Sequence, residues 1–149
     1  MIHRRTGRFL AVAVLALVVS CGAGPQLATV SEADLVGTWV DESGGRLEFA
    51  QDRTFRTRGL QIHSGIYPEC PDGNGAGTWG FFVEEGDLAT SSTDAVSGRS
   101  IALRFQGVEQ GGCNLSADVV NGGKELCLTD DDVDLCGVGA GFSRRSGDR

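Results

Sequence analysis

His63, the aspartates of 130–134 and five cysteines are the side chains of this 149-residue chain that could carry chemistry. A catalytic site needs a positioned acid, base, nucleophile or metal. Beyond the first 20 residues His63 is the only histidine, so a multi-histidine metal centre has no ligands. No Gly-x-Ser-x-Gly turn supports a Ser-His-Asp arrangement, and His63 reads as a loop residue. Asp130-Asp131-Asp132-Val133-Asp134 gathers carboxylates suited to a hard cation, but without the glycine and distal glutamate of a calcium-binding loop. Asp72-Gly73-Asn74-Gly75-Ala76-Gly77 begins like such a loop, then places Ala76 at the third ligand position and Val83 where the glutamate should stand. Both segments read as turns. The sequence therefore predicts no catalytic residue, no metal and no cofactor, and a chain that is not an enzyme.

The cysteines point to structure instead. Four of them, Cys70, Cys113, Cys127 and Cys136, follow Cys21, and an even number in an exported domain reads as two disulfides. Three pairings are possible. Cys127 and Cys136 flank the Asp130–Asp132 turn at similar distances, which favours Cys127–Cys136 and leaves Cys70–Cys113 to join two long glycine-rich loops. A zinc site would need closer cysteine spacing and usually histidine.

Cys21 belongs to an address. Arg4, Arg5 and Arg8 precede an apolar run from Phe9 to Val19, followed by Ser20, Cys21 and Gly22. This is the layout of an export signal, and its 11 apolar residues fall short of the about 20 a permanent span requires. Val18-Val19-Ser20-Cys21 resembles the lipobox of bacterial lipoproteins. The resemblance implies cleavage before Cys21 and a diacylglycerol on its sulfur, which would hold the chain at the outer face of the cytoplasmic membrane. The expected organisation is a signal peptide at 1–20, a lipidated tether at 21–30, one β domain at 31–145 and a tail at 146–149.

Loss of the three leading arginines leaves 10 basic against 20 acidic side chains, a net charge of −10. So acidic a chain should avoid nucleic acid.

The elements that must position everything else are strands. Ser31-Glu32-Ala33-Asp34-Leu35 reads as one capped helical turn. After it come short alternating runs: 36–41, 46–50, 54–60, 77–84, 100–106, 125–129 and 133–144. The alternation puts Leu47, Phe49, Phe55, Trp79, Phe81, Val83, Ile101, Leu103, Phe105, Leu126 and Leu128 on one face. With one apolar face per strand, the expected fold is all-β, a small antiparallel up-and-down barrel of seven or eight strands. Gly37-Thr38-Trp39 recurs as Gly77-Thr78-Trp79, 40 residues later, either by internal duplication or by chance.

A helical turn followed by Gly-x-Trp resembles the opening of lipocalins and related calycins. In that family the tryptophan packs across the closed end of the barrel beneath a basic residue from the last strand. The resemblance assigns these roles to Gly37, Trp39 and Arg144 or Arg145; the bland alternative makes Trp39 an ordinary core aromatic. The chain departs from the family in lacking the mid-chain Thr-Asp-Tyr motif and a C-terminal helix. The implied function is a monomeric, lipid-anchored binder of a small apolar ligand, or alternatively an interaction module of the cell envelope.

Overall fold

The computed structural model describes residues 24–62, 69–85, 88–109, 112–113, 115–129, 136 and 141–145. In chain order these form β1 (Val30–Ser31), α1 (Glu32–Leu35), β2 (Gly37–Asp41), β3 (Arg46–Phe49), β4 (Thr54–Leu60), β5 (Gly73–Glu85), β6 (Leu88–Ser92), β7 (Ser97–Gly98), β8 (Ser100–Phe105), β9 (Ser116–Val120), β10 (Glu125–Thr129) and β11 (Gly141–Arg144). Eight of them close into an antiparallel barrel. Strands β2, β3, β4, β5, β8, β9, β10 and β11 pair in that order, and β11 returns to pair with β2. Each barrel strand thus lies beside its neighbours along the chain. Such an eight-stranded antiparallel barrel is compatible with a lipocalin-like fold.

Most of the expected elements are present, with four differences. Strand β5 begins at Gly73 rather than at residue 77, so the segment resembling a cation loop is strand, not turn. Its glycines explain why. A Cβ on Gly75 would lie 2.8 Å from the Phe105 ring, and one on Gly77 would lie 1.9 Å from the Arg104 carbonyl oxygen. The missing side chains leave room for the rings of Phe55 and Phe105, which meet edge to face at 5.0 Å.

Strand β9 escapes alternation because all five of its residues are buried. Ala117 and Val119 face the interior, while the N-terminal segment lies along the end of β9 through the Leu27–Val120 bridge and the Ala28 amide. The third difference lies at residues 88–98, where β6 and β7 intervene. The far half of β5 pairs with β6 beyond the barrel wall, which leaves Val83 half-buried rather than in the core. The expected strand at 133–144 is seen only as β11; Cys136 sits in a turn, and 133–135 and 137–140 lie outside the described residues.

The repeated Gly-Thr-Trp is not an architectural repeat. Strands β2 and β5 are separated by two strands in the antiparallel ring and so run in opposite directions, which rotation about the barrel axis cannot superimpose.

Candidate functional site

The two ends of the barrel differ. At one end α1 lies across the opening beside the β5–β8 connection, with its Glu32 amide bonded to the Val96 carbonyl and its Leu35 side chain fully buried. Ser31 caps this single turn, its hydroxyl accepting the Asp34 amide at 3.2 Å. That oxygen satisfies one of the free donors of a helix start.

Two tryptophan–arginine pairs secure this closed end. Trp39 donates its indole N–H to the Leu35 carbonyl at 2.9 Å. The guanidinium of Arg144, in register with Trp39 on the neighbouring strand, stands 5.8 Å from the indole centroid. It donates to the Val36 carbonyl at 2.8 Å and also to that of Asp34. Gly37 has φ +135° and no side chain to push Arg144 away, since a Cβ there would come within 3.3 Å of its Nη2. Gly37, Trp39 and Arg144 therefore meet, and Arg145 instead donates its amide to Thr38.

The second pair was hidden in a turn. Arg53 places its guanidinium carbon 4.3 Å from the Trp79 centroid. It donates to Glu32 at 2.8 Å and to the Ala95 carbonyl at 2.9 Å. Trp79 donates to the Ala50 carbonyl at 3.1 Å. Arg53 has φ +64°, a backbone state that L-residues seldom adopt, and it held no place in the alternation. The second Gly-Thr-Trp was the one signal that could have prompted a search for a second arginine.

The opposite end carries the β4–β5 and β8–β9 connections, which a disulfide joins. Cys70–Cys113 ties the β4–β5 connection to the β8–β9 connection, with Cα atoms 4.9 Å apart. Cys127–Cys136 spans 5.0 Å between Cα atoms. Both pairings are the expected ones, but Cys136 does not oppose Cys127 in a hairpin. Gly141 holds that register position, and Cys136 reaches Cys127 from a turn. Two disulfides, with no membrane-crossing helix among the described residues, fit an extracytoplasmic domain.

Between the ends the inward side chains are almost all apolar, from Leu47 and Phe55 to Leu103, Leu126, Leu128 and Phe142. Thr57 is the exception. It faces inward beside Leu47 and Gly75, is 2% exposed, and its hydroxyl has no hydrogen-bond partner. Arg53 Nη1 is the other such atom among the described residues, and the face of Trp79 beside it supplies a π contact. Thr57 has no such compensation.

On the outer face, Asp118 is buried to 7% exposure and accepts from the Ser100 hydroxyl at 2.5 Å. Burial pushes its carboxyl above the ordinary value, against the opposing influence of Ser100 and Arg99. No group of three or more metal-ligating side chains occurs among the described residues. Cys21, His63 and Asp130–Asp134 lie outside them. No protein-family model, curated protein or solved structure matches the chain.

Proposed function

We propose that this chain is a non-enzymatic binding protein of the cell envelope, anchored by a lipid on Cys21, whose barrel takes a small, largely apolar ligand. The observation that carries this reading is the Thr57 hydroxyl. An unpaired buried hydroxyl costs about 1–3 kcal/mol, and native proteins leave few such groups without a partner. Thr57 stands in an otherwise apolar interior, above the sealed end, where a ligand carrying one hydrogen-bonding group would satisfy it. A pocket mostly apolar with a few placed polar atoms is the usual form of a small-molecule site. The closed end favours entry from the disulfide-linked loops.

The test is native mass spectrometry of the full chain extracted in mild detergent. A stoichiometric small molecule, additional to the covalent lipid and lost on denaturation, is the expected result. The bare lipidated mass would overturn the carrier reading. The same spectrum should show a chain that begins at Cys21 and carries a diacylglycerol, and an unmodified Cys21 or retention of residues 1–20 would remove the anchor from the proposal.

A further inference from the structure

The outer wall of the barrel carries a second feature, independent of what the interior holds. Arg46 on β3, Arg56 and Arg58 on β4 and Arg104 on β8 all point outward and are exposed. Between β4 and β8 the outward residues of β5 are small, Asn74, Ala76 and Thr78, and exposed as well. Four arginines thus border a shallow floor in a chain whose balance is strongly acidic.

Their acidic neighbours answer only part of this charge. Glu48 lies 3.8 Å from Arg58 and opposite Arg56 in the β3–β4 ladder. Asp52, held by the Thr54 hydroxyl at 2.6 Å, also feels the charge of Arg56, while Arg104 donates to the hydroxyl of Ser91. Four arginines against these two carboxylates leave the patch positive. Arg46 and Arg58 also stand directly opposite each other in the β3–β4 ladder. Like charges in that position destabilise a sheet, and the single carboxylate beside them, Glu48, is shared with Arg56 across the ladder.

We propose that this face docks an acidic, extended segment of a protein partner. The spacing fits: Arg56 and Arg58 are two residues apart on one strand, roughly 6.6–6.8 Å, which is also the spacing of same-face carboxylates on an extended peptide. The narrowness of the patch favours a segment over an anionic bilayer. Exposed charges act over about 8–10 Å at physiological salt, so a thin acidic strand feels the arginines, whereas a broad anionic surface also meets the acidic remainder of the domain. The N-terminal segment, moreover, lies along β9, opposite β3 in the ring.

The experiment uses the full chain in mild detergent and a fluorescein-labelled dodecapeptide of alternating Glu and Ser, with a Gln/Ser peptide as control. Fluorescence anisotropy should show binding of the Glu peptide only, weakening as salt rises. R56Q/R104Q should weaken it at least tenfold, while R46Q should weaken it and raise thermal stability by relieving the Arg58 contact. Absence of binding, or binding indifferent to R56Q/R104Q, overturns the proposal. So does arginine-dependent binding to vesicles containing 30% phosphatidylglycerol without binding to the peptide, which would assign the face to the membrane.

Discussion

Arg53 stands over Trp79 with its guanidinium carbon 4.3 Å from the ring centroid, closer than Arg144 comes to Trp39. It simultaneously pairs with Glu32 of α1. One side chain therefore joins the first helical turn, the β3–β4 turn and the centre of β5. Arg53→Ala should lower unfolding free energy by about 2–3 kcal/mol, from the lost charged hydrogen bonds and the π contact. Urea denaturation measures this. A double-mutant cycle with Glu32→Gln should show coupling of at least about 0.5 kcal/mol, because the two residues share one network.

Gly77 faces inward beneath the rings of Phe55 and Phe105. An added Cβ would sit 1.9 Å from a backbone oxygen, which no rotamer change relieves. Gly77→Ala should therefore destabilise by about 3 kcal/mol or more, in the range of overpacked cores. Thermal unfolding followed by near-UV circular dichroism of Trp79 checks it. A neutral effect would mean that β5 and β8 separate readily.

The disulfides close loops of different size, with sequence separations of 43 for Cys70–Cys113 and 9 for Cys127–Cys136. In the chain-entropy account, the longer loop contributes about 4 kcal/mol and the shorter about 2.5 kcal/mol. Paired Cys→Ser replacement should rank them in that order in urea titrations. Non-reducing peptide mapping should recover the two linked peptides, with no Cys70 joined to Cys127 or Cys136.

Asp118 supplies the pH dependence. Burial raises its folded-state pKa above the ordinary 3.8, so the folded state holds this proton more tightly than the unfolded chain does. Its contribution is most favourable below the unfolded value and is lost as pH rises through the folded one. Asp118→Asn should keep a polar partner for Ser100 and remove that loss. The variant should gain stability at pH 7 relative to pH 3, measured by melting temperature across that range.

How much of this was legible depends on side-chain alternation. Leu47 and Phe49, or Ile101, Leu103 and Phe105, sit on strands with one wet face, and their inward direction follows from sequence alone. Strand β9 has no wet face, because the N-terminal segment and neighbouring groups bury Ser116, Asp118 and Val120, and so it left no period of two. The start of β5 was obscured in another way. Gly73, Gly75 and Gly77 read as flexible turn, but the volume left at Gly75 and Gly77 is taken by rings 20 to 30 residues away, which no local window contains. The site divides likewise. Gly37, Trp39 and Arg144 followed from a resemblance, whereas Arg53 and Thr57 acquire meaning only from what surrounds them in space.

Arg144 bonds the carbonyls of Asp34 and Val36 across sequence separations of 110 and 108 residues. Ring closure and helix docking thus depend on the same strand. An emerging chain can form its hairpins one by one, but it cannot seal the barrel until β11 has arrived. Contacts of such long range slow folding, and until they form the inner faces of β2 and β10 are open to solvent. For an exported chain, the interval before residue 144 arrives is the period of greatest exposure to proteases and aggregation. A chain cut short after Cys136 would retain all four disulfide cysteines yet lack the strand that turns a curled sheet into a vessel.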